Sequence, residues 1–242
     1  MANIKGIIFD YGGTLDTGGD HWSEVIWRAY QKADVAVDKA EFREAYVFAE
    51  RELARTRHIL PKHNFGDLLL IKMQLELQWL SEQGLFPPAQ VEPKAEEVAR
   101  ICYLSAKTKT LEAVPVLKEL SKKFKLVLVS NFYGNIETVL KDFGLDRFFP
   151  KIIESAVVGV RKPDPKIFSL GVEALGCKPE ETVVVGDSYR KDIEPAEKIG
   201  CHAVWIKGKG WTAEEDAQTY PCIITDISEL PAKIKEIETK PC

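Results

Sequence analysis

Short aliphatic runs, each ended by a polar residue or a glycine, alternate with stretches of helical spacing across the second half of this chain. Ile4 to Asp10 reads as a buried strand that Gly12-Gly13 and Gly18-Gly19 then interrupt. From Glu112 the pattern predicts an amphipathic helix around Val116 to Phe124, a strand over Leu126 to Val129, and a helix around Asn135 to Phe143 closed by Gly144. It continues with a short strand near Ile152-Ile153, a helix from Pro165 to Leu175 ended by Gly176, and a strand over Thr182 to Val185. A helix from Lys191 to Ile199, a strand over Ala203 to Ile206, the pair Ile223-Ile224 and a final helix near Ile227 to Ile237 complete it. Strands that are apolar throughout imply burial on both faces, and their alternation with helices implies a parallel sheet covered on both sides.

Asp20 to Lys109 has a different texture. Little in it resembles a strand, while Val25, Ile26, Trp27 and Tyr30, and later Leu70, Met73, Leu77 and Leu80, recur at helical spacing. Pro61 and Pro87-Pro88 mark breaks inside this helical module. The first strand belongs with the alternating half, so the module is an insertion. Segments inserted at the carboxyl ends of strands lie over the crevice where open sheets bind ligands, and a lid is expected.

The candidate chemistry sits at strand ends. Phe9-Asp10-Tyr11-Gly12-Gly13-Thr14, Val129-Ser130-Asn131 and Val185-Gly186-Asp187-Ser188 each place polar groups after an apolar run; Asp192 follows the last, and Arg161-Lys162-Pro163 lies between the second and third. Groups at the same ends of successive buried strands collect along one edge of a parallel sheet. Three carboxylates there would raise one another's pKa values and hold protons unless cations balance them. One divalent ion together with Lys162 brings the formal sum to zero, and oxygen ligands with retained waters suit Mg²⁺. Mg²⁺ on one side of an anionic substrate and Lys162 on the other would let Asp10 approach a phosphorus atom.

Asp10 is the candidate nucleophile, because carboxylates form acyl phosphates and no Ser-His or Cys-His couple stands out among only four histidines. Ser130 and Asn131 are open to two uses, donating to phosphoryl oxygens and capping the helix that follows. Thr14 is likewise a donor or a turn cap. Gly12 and Gly13 allow backbone amides to come close to an anion. The stripe Leu70, Met73, Leu77 and Leu80 is expected in the core of the lid, and His58, His63, Arg55 and Arg57 on its surface, with a substrate-facing role as the alternative.

Composition narrows the partners. In 242 residues, 33 Lys and Arg stand against 37 Asp and Glu, which offers no basic stripe for nucleic acid and no polybasic membrane anchor. No apolar run reaches membrane-spanning length and the first ten residues lack a signal peptide's apolar core, so the cytoplasm is the expected location. The five cysteines, Cys102, Cys177, Cys201, Cys222 and Cys242, form no CxxC pair and are expected as reduced thiols. Oligomeric state is left open.

Taken in order, Asp10 to Thr14, Ser130, Lys162, and Gly186-Asp187-Ser188 through Asp192 resemble the four motifs of the haloacid dehalogenase-like (HAD) hydrolases, over the whole chain. The resemblance implies an α/β fold: a Rossmann-like parallel sheet core formed by residues 1–16 and 111–242, and an inserted all-helical cap of the family's first class at 17–110. It also implies that Asp10 is the nucleophile, that Lys162 steadies it, and that Mg²⁺ is held by Asp10, Asp187 and the backbone carbonyl of Gly12, with Asp192 in support. The expected activity is Mg²⁺-dependent hydrolysis of a small phosphorylated metabolite through an aspartyl-phosphate.

One position departs from the pattern. Family phosphatases usually carry a second aspartate two residues after the nucleophile, as acid and base; here that position is Gly12. General acid-base help is typically worth about 10²–10⁴-fold, so slow turnover of alkyl phosphates is expected. Asp16 is expected as a turn or cap contact, with replacement of the missing acid as the alternative. Two branches of the family dispense with that aspartate, the 2-haloacid dehalogenases and the phosphonatases, the latter through a cap lysine for which Lys62 and Lys72 are candidates. A weakly catalytic phosphate-binding or regulatory protein is the third reading.

Overall fold

Residues 2–239 are described by the computed structural model. Six parallel strands form one sheet in the order β3-β2-β1-β4-β5-β6. They are β1 (Gly6–Phe9), β2 (Lys125–Ser130), β3 (Ile152–Glu154), β4 (Thr182–Gly186), β5 (His202–Ile206) and β6 (Ile223–Ile224). The predicted strands are all present. β1 lies at the centre, with Phe9 opposite Leu128 of β2 and Val185 of β4. Because β3 and β4 lie on opposite sides of β1, the strand order reverses there. The reversal opens a crevice at the carboxyl ends of the central strands.

Side-chain alternation along β1 explains why the sheet is covered on both faces. Ile7 and Phe9 join one apolar cluster, with Leu126, Leu128, Val183 and Val185. Ile8 joins the other, with Val127, Val129 and Val184, against Phe168 and Val172 of α7 (Lys166–Leu175) and Ala196 of α8 (Glu194–Lys198). The first cluster continues without a break through Leu15 and Ile26 into the inserted helices.

Four helices are inserted between β1 and β2: α1 (Trp22–Lys32), α2 (Lys39–Arg55), α3 (Phe65–Glu82) and α4 (Val91–Leu120). Asp38 with Glu41, and Asn64 with Asp67, close reciprocal capping boxes that start α2 and α3. Met73, Leu77 and Leu80 are buried, and Leu70 packs against them. α4 differs from expectation. It runs 30 residues, passing position 110 and including the segment expected to begin a new helix near Val116. Pro115 lies inside it. The carbonyl that Pro115 cannot serve belongs to Leu111, which is 58% exposed, so water can satisfy it.

Between β2 and β4 lie α5 (Ile136–Asp142), the short helix α6 (Ser155–Val158) and α7, and beyond β5 come α9 (Ala213–Ala217) and α10 (Leu230–Thr239). The helix expected from Lys191 to Ile199 is two pieces, a π-helical turn at Tyr189–Ile193 followed by α8. The amides of Asp192 and Ile193 both donate to the Ser188 carbonyl, which widens that turn. Cys102, Cys177 and Cys201 are free thiols. Cys222 is disulfide-bonded, which corrects the reduced-thiol expectation for that residue; Cys242 lies outside the described residues. No described helix is long and apolar enough to cross a membrane.

Candidate active site

Asp10 follows the last residue of β1, Asp187 the last of β4, and Asp192 sits in the π-helical turn beyond. The parallel register brings these strand ends level, and one carboxylate oxygen from each aspartate lies within 4.8 Å of the other two. Lys162, from the loop between α6 and α7, enters the same cluster. Its ammonium is 2.7 Å from Asp10 Oδ1 and 2.7 Å from Asp192 Oδ1, with the Lys162 side chain 2% exposed. The four groups singled out in the sequence therefore meet.

Main-chain and side-chain hydrogen bonds set their orientation. The Tyr11 amide donates to Asp10 Oδ1 at 2.7 Å, so that oxygen is shared with Lys162 while Oδ2 carries no hydrogen bond within the described chain. The Ser188 amide donates to Asp192 Oδ2 at 3.1 Å, and Ser188 Oγ accepts from the Lys191 amide. Ser188 thus caps the turn and leaves Asp187 in the cluster. Trp205 Nε1 donates to the Asp187 carbonyl at 2.6 Å.

Several expected substrate donors are directed elsewhere. Thr14 is buried and its hydroxyl donates to Asp187 Oδ1 at 3.1 Å. The Gly13 amide donates to Asp16 Oδ1 at 2.7 Å and is engaged by the turn. Gly13 has φ +93°, and a Cβ there would lie 2.3 Å from Asp187 Oδ2, so only glycine lets Asp187 come this close. Asn131 binds the main chain of Lys162 in both directions: Nδ2 donates to its carbonyl and Oδ1 accepts its amide. Ser130 lines the cleft, and its hydroxyl makes no hydrogen bond within the described chain.

Asp16 takes the structural option. Oδ1 accepts from Gly13 and Oδ2 from Trp22 Nε1 at 3.0 Å, which ties the strand-end turn to the first residue of α1. Burial pushes its carboxyl up to about 8, against those two hydrogen bonds. At Gly12 the situation is the reverse of Gly13, because a Cβ there would meet nothing within 4 Å.

Above the cluster the inserted helices close a cleft of about 1260 Å³. Asp10, Gly12, Gly13, Ser130, Asn131, Lys162, Asp187 and Asp192 line its floor; His21, Trp22, Tyr46, Glu50 and Lys72 line the side formed by the inserted segment. Lys72 Nζ pairs with Glu50 Oε1 and lies 4.3 Å from the centroid of the Tyr46 ring, while Tyr133 Oη is 3.5 Å from the same Glu50 oxygen. Arg43 ties this region to the core: it donates to the Trp211 carbonyl at 2.6 Å and lies 3.9 Å over the Trp211 ring. Lys62 is exposed and does not line the cleft. Arg55 and Arg57 line the cleft, unlike His58 and His63; Arg55 and His58 both pair with Glu52, and His63 Nδ1 accepts from the Leu60 amide.

The electrostatics of the cluster call for a further cation. Burial first, then Asp192 and Asp10, raise the Asp187 carboxyl well above the usual range. Burial raises Asp192 as well, with Lys162 opposing it. Burial works against the Lys162 ammonium, yet Asp10 and Asp192 hold its pKa above the ordinary lysine value. One ammonium among three carboxylates leaves a formal excess of two negative charges. The donor set is all oxygen, and among the described residues the Asp187 side chain receives only the Thr14 hydroxyl. A hard divalent ion fits both features.

Partnerships such as Asn131 with Lys162, Trp205 with Asp187 and Trp22 with Asp16 escaped sequence reasoning. The tryptophans carried one usable signal, since a buried indole N–H seeks an acceptor.

Comparisons with known proteins bear on the family and the fold. A family model described as haloacid dehalogenase-like hydrolase matches residues 4–200. The chain is 36% identical over 214 residues to the glyceraldehyde 3-phosphate phosphatase of Methanopyrus kandleri, covering 84% of each. It is 32% identical over 153 residues to that of Pyrococcus furiosus, covering 60% of this chain and 63% of the relative, a little under two thirds of that protein. The crystal structure of a HAD phosphatase from Thermococcus onnurineus shares the fold over 96% of this chain and 98% of that one, at 23% identity and a TM-score of 0.54. With the match spanning both the sheet and the inserted helices, the chain belongs to the haloacid dehalogenase-like hydrolase family.

Proposed function

We propose that this protein is a Mg²⁺-dependent phosphatase of a small phosphorylated metabolite, with Asp10 as nucleophile, a core of residues 1–16 and 111–242, and a cap of 17–110. The observation that carries the reading is the double contact of Lys162 with Asp10 and Asp192, 2.7 Å to each, beside Asp187. Lys162 and the Tyr11 amide hold Asp10 Oδ1, which leaves Oδ2 as the attacking oxygen. Its attack on phosphorus forms the aspartyl-phosphate bond as the ester P–O bond breaks and the alkoxide or aryloxide departs. Water then hydrolyses the acyl phosphate, restoring the carboxylate and releasing inorganic phosphate.

Asp10, Asp187 and the Gly12 carbonyl would hold Mg²⁺, with Asp192 in support, and the ion would offset phosphoryl charge. Ser130 is free to donate to a phosphoryl oxygen; Lys162 supplies positive charge on the other side. Thr14, Gly13 and Asn131 act in this reading as positioning groups, through Asp187, Asp16 and Lys162 respectively. With glycine at position 12 the departing oxygen takes its proton from solvent. Leaving groups of low pKa are therefore favoured.

Phosphate release from an aryl phosphate and from a panel of metabolite phosphates, with and without Mg²⁺, tests the proposal when wild type and Asp10→Asn are run together. Mg²⁺-dependent turnover abolished by the substitution supports it; no turnover across the panel refutes it.

The lack of a proton donor at Gly12 also favours a second reading, halide displacement from a 2-haloacid, since halide leaves without a proton. Asp187 and Asp192 weigh against it, because attack at carbon has no need of a divalent ion. Halide release in the presence of a chelator would reverse that ranking. Phosphonatase chemistry requires a neutral cap amine. Although burial opposes the charge on Lys72, Glu50 holds its pKa well above the ordinary lysine value.

A further inference from the structure

The Lys72–Glu50 pair is an unusual thing to find in the wall of a cleft. Lys72 extends from α3 with its side chain 6% exposed, and Glu50 extends from α2 with its side chain 39% exposed. Withdrawing an ammonium this far from water costs stability that a single ion pair recovers only in part. Both residues line the cleft that has the aspartate cluster at its floor, together with Tyr46, Tyr133 and His21. Within the described chain Lys72 makes one hydrogen bond, to Glu50 Oε1, and a ring contact with Tyr46. Glu50 Oε2 accepts no hydrogen bond there. The pair therefore retains unfilled donors on one side and an unfilled acceptor on the other.

Resting on the phosphatase reading, we propose that Lys72 and Glu50 form the cap subsite for a hydroxyl group of the substrate's organic part, so that the substrates are phosphorylated polyols or sugars. A hydroxyl both accepts and donates, matching an ammonium and a carboxylate at once. The pair carries no net charge, and a second anionic group brought to Lys72 would meet Glu50 beside it. An aryl group would satisfy neither partner and leave both desolvated. His21 adds no positive charge near neutral pH, because burial lowers its pKa to about 4. Glu50 also faces Tyr133 from the loop after β2, so substrate engagement at this point reports on how the cap meets the core.

The test compares kcat/KM with Mg²⁺ for glycerol phosphate, phosphoglycolate and p-nitrophenyl phosphate, in wild type, Lys72→Met, Glu50→Gln and the double variant. The subsite predicts that wild type prefers glycerol phosphate to phosphoglycolate. It also predicts that the ratio of glycerol phosphate to aryl phosphate falls about 10- to 100-fold in each variant, as expected for lost hydrogen bonds to charged groups. The double variant removes the two charges of the pair together, so it reports even where a single variant fails to fold. An unchanged ratio overturns the subsite, as does a wild-type preference for phosphoglycolate. Calorimetric titration of Asp10→Asn with the same three compounds separates the two layers. Preferential binding of glycerol phosphate by a protein whose wild type hydrolyses none of them overturns the phosphatase reading alone, and absence of that preference overturns the subsite.

Discussion

Asn131 grips the main chain of Lys162 from both sides, donating through Nδ2 to its carbonyl at 3.1 Å and accepting its amide on Oδ1 at 2.9 Å. The two residues belong to different loops, after β2 and before α7, so this pair of hydrogen bonds decides where the ammonium stands relative to Asp10. Asn131→Ala should lower kcat by as much as about 10²-fold, the usual cost of misplacing a reacting group by an ångström. KM should change little, since the side chain is occupied by the loop. Steady-state kinetics on an aryl phosphate checks this, and a rise in KM at constant kcat would assign Asn131 to substrate instead.

Gly12→Asp tests the missing acid. A Cβ at position 12 would meet nothing within 4 Å, so a side chain can start there without displacing a neighbour. Turnover of alkyl phosphates should rise within the roughly 10²–10⁴-fold range of acid-base assistance, and aryl phosphates should gain less. The ratio of the two rates reads the effect. A fall on both would mean that glycine serves a different chemistry.

Glu76 makes stability depend on pH. It is buried in the core of the inserted helices, where Oε2 accepts from Tyr30 Oη at 3.0 Å and Oε1 has no hydrogen-bond partner among the described residues. Burial pushes its pKa up to about 7, with Lys72 and Tyr30 opposing. The folded state thus favours the protonated acid. The associated stability is fully present below the ordinary glutamate pKa of about 4.5 and is lost as pH rises through about 7. The loss is at most about 3.5 kcal/mol. Glu76→Gln should flatten the profile, raising stability at pH 8 relative to wild type while changing it little at pH 5. Urea unfolding at the two pH values measures this.

Much of the site was visible in the chain because its chemistry is placed by strands. Asp10 and Asp187 each follow an apolar run, and a parallel sheet aligns such ends without help from distant detail. The uses of Thr14, Gly13 and Asn131 were not visible, since they turn on which acceptor a loop brings within 3 Å. Nothing in the local sequence encodes that Asn131 meets Lys162 rather than a ligand. The length of α4 was hidden for a different reason. The change of pattern at Glu112 suggests a new helix, whereas one helix runs through, and Pro115 is tolerated in it because the carbonyl it cannot serve belongs to the exposed Leu111. Lys72 and Glu50 were each legible as charges, but their pairing needs the packing of α2 against α3.

Missing acid-base help also predicts how long the covalent intermediate lasts. Gly12 offers no base to activate the hydrolytic water, so an aryl phosphate should phosphorylate the enzyme faster than water frees it. Rapid acid quenching during turnover of p-nitrophenyl phosphate with Mg²⁺, followed by peptide mass spectrometry, reads the intermediate directly. The account predicts one phosphoryl group on the peptide bearing Asp10, absent in Asp10→Asn. Phosphate release with that peptide unmodified, or with the label on another residue, would contradict it.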